Sequence, residues 1–189
     1  SNENPFKIIK LEFVGSQIGE ELRDKGEWAM LVALLSILVY IGFRFEFIYG
    51  IGAIIALIHD VIITLGFFSI FQIEFNLSVL SAALAVIGYS LNDTIVVYDR
   101  IRENTRVVKT DRYDNLLNNS VNQTLSRTVI TSLTTMFVLV SLYLLGGAAV
   151  ELFALAMMIG ILVGTYSSIF IASTSLLLLG ANAEIREND

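Results

Sequence analysis

Long apolar segments dominate the chain, and short polar connections separate them. Leu, Ile, Ala and Val fill these segments without the strict alternation of a strand, which favours helices over a β-barrel. A helix needs about 20 apolar residues to cross roughly 30 Å of hydrocarbon. We therefore predict an all-α integral membrane protein with five transmembrane helices, at about 28–43, 47–71, 77–98, 125–145 and 152–179.

The distribution of Lys and Arg predicts the orientation of these helices. The connections 72–76 and 146–151 contain no basic residue. The region between the third and fourth helices and the start of the fourth together contain six, namely Arg100, Arg102, Arg106, Lys109, Arg112 and Arg127. By the positive-inside rule, the segment 99–124 is a cytoplasmic loop and residues 181–189 form a cytoplasmic tail.

With five spans, this orientation places the start of the chain on the outer side of the membrane. A strand-like segment, "FKIIKLEFVG", and a polar helix-like segment, "SQIGEELRDKGEW", precede the first span. We expect residues 1–26 to be the end of a truncated periplasmic domain with its linker, and residues 27–180 to form the bundle. The first membrane helix of the whole protein would then precede this chain. A disordered N-terminal segment is the alternative.

The amino-acid composition limits the kinds of binding site that the chain can form. Hydrophobic residues make up 55% of the 189 residues and charged residues 16%, against about 25% charged in soluble domains. The formal charge of −6 offers no basic surface for nucleic acid. Cysteine is absent, which excludes disulfides and thiolate metal sites, and His59 is the one histidine, which argues against a dedicated metal centre. We also expect no cofactor.

Two carboxyl groups lie inside the predicted spans. Asp60 falls near the middle of the second span, and Asp93 falls about five residues, or roughly 7.5 Å of helix, from the cytoplasmic end of the third. A charge at mid-bilayer costs about 2.5–3.5 kcal/mol, so neither side chain is expected to face lipid. Each is a candidate either for carrying a proton or for locking helices together through hydrogen bonds.

The fourth span begins with the polar sequence "QTLSRTVITSLTT". Hydroxyl groups on one face of a helix bond back to the preceding turn or line a water path. Arg127 either extends to the cytoplasmic surface or pairs with Asp93. Because arginine does not deprotonate, such a pair would bind and release protons at the carboxyl group alone. Our candidate supporting polar residues are His59, Ser90, Asn92, Thr128, Thr131 and Ser132.

Small residues recur every three or four positions in three of the spans. In lipid, such rows let helix backbones approach closely, either as fixed packing or as surfaces along which helices move. The rows are Gly52, Ala56, Asp60 and Thr64; Ser81, Ala85, Gly88 and Asn92; and Ala156, Gly160, Gly164, Ser168 and Ala172. From these rows we predict Gly88, Gly160, Gly164 and Ser168 as helix-packing residues.

An intramembrane enzyme is disfavoured. Asp60 and Asp93 could be imagined as an aspartyl-protease dyad, in which two carboxyl groups share one proton. The "GxGD" sequence typical of that class is absent, however. A hydrolase built on Ser90 and His59 would lack an orienting acid and a nucleophile-elbow sequence. We predict no catalytic residue.

The chain resembles the SecF branch of the SecD/SecF family of protein-export membrane proteins. The segments that carry the resemblance are long and in order: "FRFEF", "ALIHDVIITLGFFSIF", "IEFNLS", "IGYSLNDTIVVYDRIREN", "QTLSRTVITSLTT" and "IGILVGTYSSIFIAS". The resemblance implies a six-helix bundle of the resistance-nodulation-division (RND) type, of which this chain would supply five helices. It also implies that Asp93 of "ND" and Arg127 of "SRT" are central to proton coupling, with Asp60 of "HD" a less certain contributor.

The function implied by the resemblance is proton-driven assistance to late protein translocation across the bacterial inner membrane. The implied partners are SecD, the Sec translocation channel, the translocating polypeptide and membrane lipid, with protons as the coupling ion. Two alternatives remain: an RND-type proton-driven exporter of small molecules or lipids, and a structural subunit that only braces its partner.

Overall fold

The computed structural model describes residues 16–74, 76–107 and 112–179. Within these ranges the chain is helical apart from short turns. The helices are α1 (Ser16–Arg44), α2 (Phe47–Ile70), α3 (Leu77–Val107), α4 (Tyr113–Leu145), α5 (Glu151–Tyr166) and α6 (Ala172–Leu178). A π-helical turn, Ser167–Ile171, joins α5 to α6 without interrupting the helical path.

The predicted all-α architecture is confirmed over the described ranges. Five helical segments are long and apolar enough to cross a membrane: Asp24–Arg44, Phe47–Ile70, Leu77–Val107, Tyr113–Leu145 and Glu151–Leu178. The polar stretch before the first span is helical too, because α1 begins at Ser16. The strand-like residues 6–15 and the expected tail 181–189 lie outside the described residues.

Short turns with specific chemistry separate the helices. Between α2 and α3, Gln72 takes a left-handed backbone conformation with φ of 51°, which an ordinary residue seldom adopts. Asn76 then caps α3, since its side-chain oxygen accepts hydrogen bonds from the backbone N–H groups of Ser78 and Val79 at 3.0 and 3.2 Å. Between α4 and α5, Gly147 has φ of 74°, a conformation that glycine adopts without strain.

The segment expected as a cytoplasmic loop, 99–124, is mostly helical. The third helix continues to Val107 and the fourth begins at Tyr113, so α3 and α4 extend well past the predicted spans. Side-chain hydrogen bonds join the two extensions, from Asn104 to Ser120 at 2.8 Å and from Arg100 to Gln123 at 2.5 Å. Apolar length marks where a helix can lie in lipid, but it does not mark where the helix ends.

Two apolar clusters form the core, one toward each end of the bundle. The first contains Tyr49, Tyr98 and Ile101 at the end that carries the basic residues, and the second contains Phe68, Val86 and Ile161 at the opposite end. Buried polar side chains lie between them on α2, α3, α4 and the π-helical turn, including Asp60, Ser90, Asp93, Thr94, Thr128, Ser132, Ser167 and Ser168. We call this set the polar layer.

The contact between α3 and α5 requires a glycine. A Cβ atom added at Gly160 would overlap the side chain of Val86. We expect Gly160→Ala to lower the free energy of unfolding by about 1–3 kcal/mol, the usual cost of overpacking. Denaturant unfolding of the purified chain in detergent measures the change.

Gly66 on α2 supplies the matched control, because no atom lies within 4 Å of the place where its Cβ would stand. Gly66→Ala should leave stability unchanged or raise it slightly, since alanine favours helix. Combining Gly160→Ala with Val86→Ala should restore most of the lost free energy of unfolding. Wild-type stability in Gly160→Ala alone would contradict the packing argument.

Candidate functional site

Asp60 is enclosed by the bundle. Its side chain is 1% exposed, and α2 directs it toward α3. The Ser90 hydroxyl donates a hydrogen bond of 2.5 Å to one carboxyl oxygen, and Nδ1 of His59 lies 3.2 Å from the other. His59 is partly exposed, so the set formed by Asp60, Ser90 and His59 reaches the surface of the bundle at the histidine.

Asp93 is also buried, but fewer side chains hold it. The residue is 3% exposed and lies between α3 and α4. Its hydrogen bond from the Ser132 hydroxyl is long, at 3.4 Å, and Ser132 in turn lies 2.6 Å from the hydroxyl of Thr165 on α5. Asp93 is therefore the less constrained of the two buried carboxyl groups.

Arg127 does not form a direct ion pair with Asp93 in the described structure. The arginine is exposed on α4, one turn from Thr131, whose hydroxyl bonds back to the Arg127 carbonyl oxygen at 3.0 Å. The guanidinium group still interacts electrostatically with the Asp93 carboxyl group. The structure thus shows no direct pair between the two residues, with Arg127 exposed and within electrostatic range of Asp93.

The π-helical turn completes the polar layer. Ser167 and Ser168 are adjacent and both fully buried, although neighbouring residues of a regular helix point about 100° apart. Ser167 donates to the carbonyl oxygen of Ala56 on α2 at 3.2 Å, and Ser168 lies 3.3 Å from the Ser90 carbonyl oxygen on α3. The wider turn thus lets two consecutive hydroxyls reach two different helices.

Three of the four predicted packing residues lie where the sequence suggested. A Cβ at Gly164 would stand 3.1 Å from that of Ser90, and Ser168 accepts a hydrogen bond from Thr94 at 3.2 Å. Together with Gly160, they form the face of the fifth span that packs on α3. Gly88 differs: it is exposed, and no atom lies within 4 Å of its would-be Cβ. Gly88 therefore packs against no described residue of this chain, and its role as a helix-packing residue stays a prediction.

The whole row that includes Gly88 shares this orientation. Ser81, Ala85 and Asn92 are exposed as well, so the row faces outward from α3. Asp93, one position further along, faces inward because a helix turns about 100° per residue. The sequence placed the row correctly on one face but did not indicate that the face lies outside.

The hydroxyl residues of α4 divide into two groups. Thr124, Thr128 and Ser132 are buried at four-residue spacing, and the Thr128 hydroxyl is buried without a hydrogen-bond partner in the part of the chain that is described. Thr131 is only partly buried and bonds back to its own helix. The buried face is continuous with Asp93, which supports its assignment as part of the same site.

Sequence reasoning missed Thr94, Thr165 and Ser167. All three join helices in the polar layer, and the available signal was a hydroxyl within an apolar span. No group of three or more potential metal ligands occurs among residues 16–74, 76–107 and 112–179. The chemistry that the layer offers is proton binding at two carboxyl groups, with hydroxyls, one imidazole and one nearby guanidinium as their surroundings.

Comparison with known proteins gives consistent results. The family model "Protein export membrane protein SecD/SecF, C-terminal" matches residues 1–182. The chain is 50% identical over 182 residues to protein translocase subunit SecF of Pseudomonas aeruginosa, covering 96% of this chain and 59% of that protein. It is 52% identical over 178 residues to the corresponding subunit of Vibrio alginolyticus, covering 94% and 56%.

Solved structures agree with these matches. A crystal structure of SecDF from Thermus thermophilus, described as a translocon-associated membrane protein, has a TM-score of 0.83 and 48% identity over 88% of this chain. The match covers 23% of that larger chain. A SecDF structure in a super-membrane-facing form has a TM-score of 0.81 and 43% identity over 93% of this chain. This chain thus spans a little over half the length of the curated relatives named above.

The hydrogen bond between Ser90 and Asp60 generates a stability prediction. Ser90→Ala removes the donor from a fully buried carboxyl oxygen, and leaving such a group without its partner costs about 1–3 kcal/mol. We expect an earlier unfolding transition of the purified chain in detergent. Ser81→Ala on the same helix is the control, because Ser81 is exposed. Equal transitions in the two variants would show that Asp60 does not depend on Ser90.

Proposed function

Because the chain belongs to the SecD/SecF family of protein-export membrane proteins, we propose that it forms the membrane part of a subunit that couples proton flow to late protein translocation. The inference that the chain serves protein export rests on relatives that are about 50% identical to it and longer than it. The proposal for protons rests on the polar layer. A single observation carries it: Asp93 is buried in the bundle and is held by one long hydrogen bond.

The environment of Asp93 suits a group that changes its protonation state. A carboxyl group at membrane depth needs a partner, a proton or a wet cavity. Ser132 supplies a weak donor, and no cation forms a direct ion pair with Asp93 in the described ranges. An ionised Asp93 would therefore draw Arg127 inward, and a protonated Asp93 would release it. Arg127 is in this proposal a positioning residue that changes the energy of the ionised state.

Transfer of a charge through the membrane supplies enough energy to shift helix packing. One elementary charge crossing about 100 mV yields about 2.3 kcal/mol. That energy biases a two-state equilibrium by nearly fiftyfold, provided that proton occupancy differs between the two states. The tight contacts of Gly160 and Gly164 with α3 are the surfaces along which two such arrangements would differ.

The proposed membrane partner is SecD, in the bacterial inner membrane, together with the Sec translocation channel and the polypeptide in transit. The outward row on α3 supports a helical partner, since Asn92 exposes an amide group beside Gly88 and Ala85. Small residues with one hydrogen-bonding side chain are typical of helix–helix interfaces in lipid.

The central prediction concerns the charge of Asp93. In the complete complex, Asp93→Asn should abolish proton-dependent export while leaving assembly intact, because asparagine keeps the shape but binds no proton. Translocation of a secreted substrate into inverted membrane vesicles, with and without a proton gradient, measures this. Asp99→Asn, at an exposed position near Arg44, is the control. Normal gradient-dependent export by Asp93→Asn would overturn the assignment and favour a bracing role.

A second prediction concerns the outward row. We expect Gly88→Leu to weaken copurification with SecD, because a leucine on this face blocks close backbone approach. Gly66→Leu, also at an open position, should leave copurification unchanged. Retention of the partner by both variants would place the interface on another face of the bundle.

A further inference from the structure

The π-helical turn Ser167–Ile171 gives the fifth span one residue more than a regular helix would hold. The backbone N–H group of Ala172 bonds to the carbonyl oxygen of Ser167, five residues earlier, whereas a regular helix bonds to the fourth. Regular helix continues on both sides of the turn. If the additional residue is taken up elsewhere along the span, the segment between its old and new positions has to rotate by about 100°.

The additional residue keeps one face of the span against its neighbours. Gly160, Gly164, Ser168, Ala172 and Leu176 follow one another at four-residue spacing, and all five are buried. In a regular helix, a four-residue step overshoots one turn by about 40°, so four such steps would carry the row nearly halfway around the helix. The π-helical turn offsets about 100° of this rotation. Residues on both sides of it therefore face α2 and α3.

The turn is tightly packed on one side and open on the other. On the side of α2 and α3, Ser167, Ser168 and Ala172 are 0% exposed. On the side of α4 lies a groove of about 210 Å³. Its lining includes Ile169, Phe170 and Thr174 of the fifth span and Leu117, Asn118 and Val121 of α4. The space for a rotation of the segment after the turn therefore lies toward α4.

Hydroxyl groups along the span can satisfy the carbonyl oxygens that a moving turn releases. Three serines donate to carbonyl oxygens of their own helix: Ser168 to Gly164 at 2.7 Å, Ser173 to Ile169, and Ser175 to Ala172 at 2.7 Å. Within membranes, such hydroxyls and local π-helical adjustments restore hydrogen bonds where a helix is irregular. The sequence around the turn thus suits a turn that changes position.

A chain of hydroxyl groups connects Asp93 to the helix just before the turn. The Ser132 hydroxyl lies 3.4 Å from an Asp93 carboxyl oxygen and 2.6 Å from the hydroxyl of Thr165. The Thr165 hydroxyl lies 2.7 Å from the carbonyl oxygen of Ile161, one turn earlier in the same helix. Because each hydroxyl has a single hydrogen, Ser132 donates either to Asp93 or to Thr165.

The charge of Asp93 sets the direction of this chain. An ionised carboxylate attracts the hydrogen of Ser132, whose lone pairs then accept the hydrogen of Thr165. A neutral carboxyl group attracts it less, so Ser132 donates to Thr165, and Thr165 donates to the Ile161 carbonyl oxygen. The hydrogens reorient without leaving their oxygen atoms. The backbone before the turn therefore gains or loses a side-chain hydrogen bond with the charge of Asp93.

We propose that Thr165 transmits the charge of Asp93 to the π-helical turn, and that the additional residue then shifts along the fifth span and rotates the segment beside the groove. This proposal rests on the proposed function, because it assumes that Asp93 changes its charge. Thr165 is a positioning residue in it, since it contacts Ser132 rather than the carboxyl group. The shift converts a change of charge into a rotation toward α4.

Distances between spin labels test the movement. The experiment uses the full-length protein in its complex in lipid nanodiscs. Cysteine is absent from these 189 residues, so Asn118→Cys and Thr174→Cys, both exposed at the groove, carry the labels once any cysteine elsewhere is replaced. We expect Asp93→Asn, which stands in for the neutral carboxyl group, to shift this distance by several ångströms. An unchanged distance would overturn the proposal.

A second label pair separates rotation after the turn from tilting of the whole span. Phe137→Cys on α4 and Leu162→Cys on α5 are exposed positions, and Leu162 precedes the turn. Their distance should respond to Asp93→Asn much less than the distance across the groove. Equal shifts in the two pairs would show that the span moves as a rigid helix, which would overturn the movable turn.

The role of Thr165 is tested with the same labels across the groove. Thr165→Val removes the hydroxyl and keeps the shape, so Asp93→Asn should no longer change the distance in this background. Thr134→Val is the matched control, because Thr134 is exposed and its hydroxyl bonds to carbonyl oxygens of α4 itself. The shift should persist there. A full shift in the Thr165→Val background would overturn the transmission through Thr165.

Translocation into inverted membrane vesicles tests whether the movement serves the function. Deleting Phe170, which is exposed at the groove, removes one residue from the turn and keeps both flanking segments in register. We expect the complex to assemble and its translocation to fall to the level found without a gradient. Deleting Leu178, 82% exposed in the last turn of α6, shortens the span equally and should leave translocation unchanged.

The outcomes separate this proposal from the proposed function. Normal gradient-dependent translocation after deletion of Phe170, with Asp93→Asn inactive, would overturn the movable turn and leave the proposed function standing. Normal translocation by Asp93→Asn would instead overturn the proposed function, and the label distances would still decide whether the turn moves. The same distances decide the matter if the shortened complex does not assemble.

Discussion

A carboxyl group inside lipid has to be enclosed by protein, and that constraint organises this bundle. Asp60 and Asp93 are both nearly inaccessible, and each receives a hydroxyl hydrogen bond from another helix. The enclosing residues form one polar layer with an apolar cluster on either side. Because unpaired charge at this depth costs about 2.5–3.5 kcal/mol, the helices must be in register for the layer to close.

The sequence predicted the features that depend on composition along a helix, but only some of those that depend on direction around it. Apolar length located the five spans, and four-residue spacing put Gly160, Gly164 and Ser168 on one face, which in the structure lies against α3. The same spacing found the row containing Gly88 but not that it faces outward. In lipid both sides of a helix are apolar, so hydrophobic periodicity does not distinguish the inner face from the outer one.

Other misses arose where side chains, rather than the hydrophobic pattern, decide the backbone. No residue in "TYSSIFIAS" marks a π-helical turn, because serine is tolerated in regular helices within membranes. The turn is identified by two consecutive buried serines that bond to different helices. The helical extensions of α3 and α4 were likewise hidden, since their few apolar residues, such as Ile101 and Leu116, stand among polar ones, and hydrogen bonds such as that between Asn104 and Ser120 add to their packing.

One short stretch of the fifth span contacts the hydrogen-bond donors of both carboxyl groups. Thr165 contacts Ser132, which donates to Asp93, whereas Ser168 contacts the backbone of Ser90, whose hydroxyl donates to Asp60. Thr165 and Ser168 are three residues apart and bracket the start of the π-helical turn. Such a turn already departs from the regular hydrogen-bond ladder, and π-helical turns are frequent at functional sites. Both carboxyl groups are thus linked through hydroxyls to the same turn of the fifth span, so the packing around one is continuous with the packing around the other.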